Sequence, residues 1–224
     1  SPSMAIITNI EAEHLDIYED LEDVKRAFIE FASKVPFYGT VIVCLDDPVV
    51  RSILPDIERR TISYGTTPQA TVRAVNIQRK EFYSEFAVTF EGDLLGSIRL
   101  KAPGDHNVKN ALAAVAAGLE LNIPFEKIKS GLERYDGVFR RFQFKAEEND
   151  ILVIDDYAHH PTEVQVTLDA ARKGWPERRI VAVFQPHLYS RTHLMYQEFG
   201  LSVFDAEVLV VTDIYPSREA PIEG

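Results

Sequence analysis

The sequence predicts an α/β chain: a mostly parallel sheet with a small antiparallel sheet appended, followed by half of a second, Rossmann-like α/β domain. Three observations predict it. Short β-branched runs alternate with amphipathic runs from residue 5 to residue 64. Three runs of strand composition then follow one another between residues 71 and 101 with only turns between them. From residue 151 strand-then-helix units resume, and two of their strands end in dense polar clusters.

The elements follow in order. Residues 5–8 read as a strand, and the loop after it carries Glu11, Glu13, His14 and Asp16. By spacing alone His14 is either a metal ligand with carboxylate or water partners or an inert residue near a helix end. Leu21, Val24, Phe28 and Phe31 recur at helical spacing before Pro36, which predicts a helix over 21–34 with one buried face. Residues 40–45 are a buried strand, 46–48 a turn, 49–54 a short helix and 61–64 another strand. Residues 71–78, 82–90 and 94–101 form the antiparallel strands, with Glu91-Gly92-Asp93 turning between the last two.

Pro103-Gly104-Asp105-His106-Asn107-Val108-Lys109-Asn110 then leads into an alanine-rich helix, with Asp105 as its candidate N-cap. His106, Asn107 and Asn110 share one end of that helix, where amide side chains can read the edges of a base; simple capping is the competing reading. Small residues from Ala111 to Gly118 predict a close neighbour on this helix. A further helix is expected from Pro124 to about Tyr135. The connector after it holds Arg140 and Arg141, which are either solvated or a phosphate clamp.

Asp155-Asp156-Tyr157-Ala158-His159-His160-Pro161-Thr162-Glu163 packs two acids and two imidazoles between an apolar run, 151–154, and a helix expected to open at Pro161 and stop at Gly174. The run before it reads as a buried strand. A second junction, Gln185-Pro186-His187-Leu188-Tyr189-Ser190-Arg191-Thr192, follows the expected buried strand 180–184. A helix over 192–202 and a strand over 208–213 complete the pattern.

Composition bounds the function. At 224 residues and 46% apolar content the chain is long enough for one large domain or two modest ones. No apolar run approaches a membrane span, and the first four residues lack the basic start of a signal peptide. The single cysteine, Cys44, lies in an apolar run and reads as a core residue, which fits a reducing, cytoplasmic setting. A net charge of -11 without a basic stripe argues against a nucleic-acid partner.

Seven stretches, in register along nearly the whole chain, closely resemble the Mur ligases of peptidoglycan synthesis. In the first part they are residues 8–16, Pro36-Phe37-Tyr38-Gly39 and 103–110; further on they are Gly137-Val138-Phe139-Arg140-Arg141-Phe142, 155–163, 184–192 and Asp213-Ile214-Tyr215. The resemblance is to the branch that joins L-alanine to UDP-N-acetylmuramate. It implies that residues 1–139 are the later part of a central ATP-binding domain and 140–224 the first half of a C-terminal domain presenting the amino acid. It implies ATP and Mg²⁺ as cofactors and UDP-N-acetylmuramate and L-alanine as substrates. By resemblance His14 binds magnesium, and His106, Asn107 and Asn110 lie at the adenine. Asp155, Tyr157 and His159 lie near ribose and the incoming amino acid, Arg141 lies near the phosphates, and His187 and Arg191 position alanine and the acyl phosphate. Many relatives carry arginine where Leu188 stands.

The family's Gly-Lys-Thr phosphate loop has no counterpart here, since no Gly-Lys dipeptide occurs in the sequence. The expectation is therefore that this stretch alone does not turn over. Three other readings compete: the related ligase that attaches a whole tripeptide, a metal-dependent hydrolase built on His159, His160, His187 and Asp155 or Asp156, and a module that only binds nucleotide.

Overall fold

The computed structural model describes residues 2–12 and 17–221. The chain divides into two compact units. The first comprises Ser1–Gln78, Glu85–Leu100 and Asn107–Tyr135, the second Arg79–Ser84, Lys101–His106 and Asp136–Gly224. Among the described residues no helix is long and apolar enough to cross a membrane.

In the first unit β1 (Met4–Ile7), β2 (Thr40–Cys44) and β3 (Arg60–Gly65) pair in parallel in that order. α1 (Leu21–Ser33) forms where the apolar stripe required it. Asp20 caps it by accepting from the Asp23 amide at 2.9 Å, and Val24 and Ala32 are its buried positions. Its inner face packs with Ile7, Val41 and Val43 in one core cluster. Full burial of a valine such as Val41 contributes about 1.5–3 kcal/mol against exposure. α2 (Pro48–Ile53) starts with Pro48 in its first turn and Asp47 bonding the Val50 amide at 2.7 Å. Cys44, at the end of β2, is buried.

β4 (Val72–Lys80), β5 (Tyr83–Phe90) and β6 (Asp93–Leu100) continue the same sheet, in the order β1-β2-β3-β4-β5-β6. Two-residue connections between neighbouring strands close only as hairpins, so this extension is antiparallel. It joins the parallel part through a short β3–β4 pairing at Tyr64↔Val72 and Gly65↔Arg73. α3 (Asp105–Glu120) and α4 (Phe125–Glu133) follow. The neighbour expected on the small-residue face of α3 is α4: a Cβ at Gly118 would sit 2.6 Å from Ile128 Cδ1. Asp105 is the first residue of α3, not the cap before it.

In the second unit β7 (Gln143–Glu148) and β8 (Ile151–Asp155) make an antiparallel hairpin with a register shift at Phe144/Ala146. Asn149 and Asp150, at φ 50° and 60°, supply the two positive-φ positions of its turn. The expectation that residues 151–154 form a buried strand is corrected: Ile151 is 64% exposed and Val153 47%, because among the described residues β8 pairs only with β7. β9 (Val181–Phe184) pairs in parallel with β10 (Val208–Val211) in a separate two-stranded sheet. β9 is also not fully buried. Ala182 and Phe184 pack with Val164 and Leu168 of α5 (Pro161–Gly174) and Phe199 of α7 (Tyr196–Ser202), while Val181 and Val183 turn outward. The single helix expected over 192–202 is two, α6 (Tyr189–Leu194) and α7, broken at Met195 where φ is -120° and ψ 23°.

Trp175 follows α5 and packs edge-on to Phe82, with ring centroids 4.8 Å apart, and stacks on Phe142 at 6.0 Å. Asp105 binds Arg79 through two bonds of 2.7 and 3.0 Å and Lys173 at 3.1 Å. Burial raises its carboxyl, but these two cations outweigh that and hold it below the usual range.

Candidate active site

The adjacent aspartates at the end of β8 have separate tasks. Asp156 accepts from the Ala158 amide and the Phe142 amide, each at 2.8 Å, so both oxygens fix the turn. Asp155 faces Arg140 and Lys145, each at 3.5 Å. Asp156 also stands 4.0 Å from Arg141, but both of its oxygens are already bonded to backbone amides.

His160 is 6% exposed and is the N-cap of α5, its Nδ1 accepting from the Thr162 amide at 3.4 Å. Glu163 completes a capping box by accepting from the His160 and His159 amides at 3.3 and 2.9 Å. Its other oxygen takes a bond from Arg141 Nη1 at 2.9 Å. Burial pushes the Glu163 carboxyl up, yet the His159 amide and Arg141 outweigh it, and the group stays ionised below the ordinary range. Arg141 is thus tied to the start of α5 with half its surface open to solvent, a cation presented and not buried.

A continuous run of rings crosses the two polar junctions. The Arg140 guanidinium lies over Tyr157 at 4.9 Å, Tyr157 meets His159 at 5.0 Å, His159 meets His187 at 5.9 Å, and His187 stacks on Tyr215 at 5.6 Å. His159 Nδ1 bonds the Tyr157 carbonyl at 2.8 Å, which leaves its Nε2 as the ring's outward nitrogen. Asp155, Tyr157, His159 and His187 are therefore brought to one neighbourhood, with Arg141 bound beside them through Glu163.

At the second junction the backbone is locked from residues 213–219. The Leu188 amide bonds the Tyr215 carbonyl at 3.0 Å, the Tyr215 amide bonds the Pro186 carbonyl at 2.8 Å, and Ser190 bonds Glu219 through both amide and hydroxyl. Leu188 is held at φ 73° and ψ 134°, a conformation that costs a side-chain-bearing residue about 1–3 kcal/mol and marks functional turns. On either side of it His187 Nδ1 and Arg191 Nη1 are buried with no hydrogen-bond partner among the described residues. Burial, the Arg191 charge and His159 push the His187 imidazole below its ordinary range, against a smaller opposing pull from Glu219. The result is a neutral imidazole beside a guanidinium whose buried Nη1 has no hydrogen-bond partner among the described residues, suited to a carboxylate or an anionic acyl group and to taking up a proton.

His106, Asn107 and Asn110 occupy the first two turns of α3, with Asn110 exposed. Gly104, at φ 98°, is required here: a Cβ would lie 2.7 Å from the His106 ring and 3.3 Å from Ala170. His14 lies outside the described residues. Among those described, no group of three or more His, Cys, Asp or Glu side chains is gathered so as to hold a metal ion.

Sequence reasoning assigned no role to Glu163, Tyr215, Ser190 or Glu219. Glu163 carried a signal, since it stands three residues after His160 at capping-box spacing. Glu219 carried none, because its partner lies 29 residues away.

A model of the Mur ligase middle domain matches residues 1–118, and one described as Mur ligase, glutamate ligase domain, matches residues 140–223. Along its whole length the chain is 55% identical to a UDP-N-acetylmuramate–L-alanine ligase of Salinibacter ruber, of which it covers 47%. It is 50% identical to the ligase of that name in Pelobacter propionicus, covering all of this chain and 49% of that protein. The crystal structure of a UDP-N-acetylmuramate–alanine ligase from Thermotoga maritima superposes with a TM-score of 0.77 at 28% identity, over 96% of this chain and 46% of that one. The chain thus spans about half the length of the curated relatives it matches. With the middle-domain match alone taking in more than half of its 224 residues, and the ligase-domain match following in order, the chain belongs to the Mur ligase family.

Proposed function

We propose that the full-length protein carrying this chain joins L-alanine to UDP-N-acetylmuramate at the expense of ATP, in the cytoplasm, as a step of peptidoglycan synthesis. Residues 1–139 then belong to the ATP-binding middle domain and 140–224 to the domain that presents the amino acid. The observation that carries this reading is the pair of buried nitrogens at His187 and Arg191 that have no hydrogen-bond partner among the described residues, standing in a chain 55% identical to a protein named for that activity.

In the reaction the substrate carboxylate takes the γ-phosphoryl group of ATP, giving an acyl phosphate and ADP. The alanine amine attacks the acyl carbon, the C–O bond to phosphate breaks, and inorganic phosphate leaves with an amide formed. Arg191 holds the alanine carboxylate or the acyl phosphate, and Arg141 offsets phosphate charge as it develops. His187, kept neutral by its surroundings, accepts the proton that the amine must lose, with His159 stacked beside it. Asp155 and Tyr157 face the ribose, and His106, Asn107 and Asn110 the base. His14 would be this chain's candidate ligand for Mg²⁺, which when bound would offset phosphate charge.

A metal-dependent hydrolase is less well supported. Three of the five residues it would draw on are engaged elsewhere: His160 caps α5, Asp156 bonds two amides, and Asp155 faces two cations. The test is to supply the full-length protein with ATP, Mg²⁺, UDP-N-acetylmuramate and L-alanine and to measure ADP and the alanyl product. Product only when a tripeptide replaces L-alanine moves the assignment to the tripeptide ligase, and no amide product with either overturns it. This chain alone is expected to release no ADP.

A further inference from the structure

We infer that Glu219 is a positioning residue for the amino-acid end of the reaction: by holding Ser190 with both carboxylate oxygens it fixes the turn that aims His187 and Arg191. The inference rests on the ligase reading of that site and goes beyond it, since Glu219 touches neither of the two nitrogens assigned to substrate.

Three observations converge on it. Glu219 Oε2 accepts from the Ser190 amide at 2.9 Å, and Oε1 accepts from the Ser190 hydroxyl. Two bonds from one residue, one to each carboxylate oxygen, fix the direction of the turn as well as its distance. Leu188, two residues earlier, is held in a conformation that persists only where the surroundings over-determine it. The backbone pairing of Leu188 and Pro186 with Tyr215 constrains that turn, and Glu219 constrains it again through Ser190. Finally, both Glu219 oxygens are committed to Ser190 while Arg191 Nη1 has no hydrogen-bond partner among the described residues, so the anchor leaves that donor open. The Ser190 hydroxyl and amide, then the Tyr189 amide and Arg191, hold the Glu219 carboxyl below the ordinary range, so it is an acceptor at neutral pH.

Arg191 and His187 therefore sit on a turn whose geometry depends on a residue 28 positions beyond Arg191. Loss of Glu219 should loosen the grip on alanine without touching nucleotide. Glutamine at the same position keeps an acceptor oxygen for the Ser190 amide and should keep most of the geometry.

The test uses the full-length protein and compares Glu219→Ala, Glu219→Gln and Ser190→Ala with Arg191→Ala. Glu219→Ala is expected to raise KM for L-alanine by about tenfold or more while KM for ATP moves less than about twofold. Glu219→Gln is expected to stay within about threefold of the parent, and Ser190→Ala to raise KM for L-alanine by about threefold or more. An unchanged KM for L-alanine in Glu219→Ala, or a defect as large in Glu219→Gln, overturns the inference. If Glu219→Ala does not fold, Ser190→Ala decides: an unchanged KM for L-alanine there overturns it as well. If Arg191→Ala also leaves that KM unchanged, it is the assignment of the site to alanine that falls. Glu219's structural effect is then read separately, by loss of hydrogen-exchange protection at the Ser190 amide in Glu219→Ala.

Discussion

Arg141 and Glu163 stand 22 residues apart in sequence, yet Arg141 Nη1 bonds Glu163 Oε1 at 2.9 Å while the other carboxylate oxygen closes the start of α5. One carboxylate thus ties the Arg141 cation to the helix cap that shapes the loop carrying His159.

Replacing Glu163 with alanine should therefore cost both the cap and the tether. The expected loss is about 1–2 kcal/mol, read as a lower urea midpoint with an unchanged slope. Because the folded-state pKa of Glu163 is depressed, its contribution is present above the unfolded value near 4.3. It should vanish as pH falls through the lower folded value, and the alanine variant should lose that part of the acid dependence.

The His187 imidazole is expected to titrate below a model histidine, measured by heteronuclear NMR of the ring. Arg191→Ala should raise its midpoint, since burial and the Arg191 charge both disfavour the imidazolium. The sign for stability follows. With the folded pKa lowered, the unfolded chain takes the proton first, so stability is lost as pH drops below about 6.5 and levels off below the folded pKa.

Gly104→Ala should destabilise the second unit by about 1–3 kcal/mol, because it adds a Cβ at φ 98° against the His106 ring. Moving His106 should also weaken nucleotide binding by the full-length protein in calorimetric titration. Destabilisation without a change in nucleotide affinity would separate His106 from the adenine.

β10 presents Val208, Leu209, Val210 and Val211 at 39–56% exposure in a sheet of two strands. An apolar edge of this kind templates pairing with another strand. This chain should self-associate with rising concentration in sedimentation velocity, and Val210→Lys should suppress it.

The fold class was legible because periodicity and turn chemistry agree along most of the chain: α1 and α5 start at Leu21 and Pro161 as expected, and α2 starts at Pro48, one residue before the expected Val49. β7 was missed. Its Gln-Phe-Lys-Ala-Glu-Glu composition has no clear alternation, and the legible feature was the Asn149-Asp150 turn after it. Exposure misled on β8 and β9, since a β-branched run looks the same whether one face or both are covered. Within the candidate site, the nitrogen-bearing residues proposed to act there were legible by type and cluster. Their supports were not: Asp156, Glu163 and Glu219 act through backbone amides whose proximity only the folded chain creates.

The placement of two singular residues gives each unit its own reporter. Trp175, the chain's only tryptophan, sits in the aromatic cluster of the second unit, and Cys44, its only thiol, is buried in the sheet of the first. Indole fluorescence follows the opening of one, and thiol labelling follows the other, because a buried thiol reacts only when its surroundings open. Without a single substitution the unmodified chain can therefore be asked whether its halves melt together or one at a time.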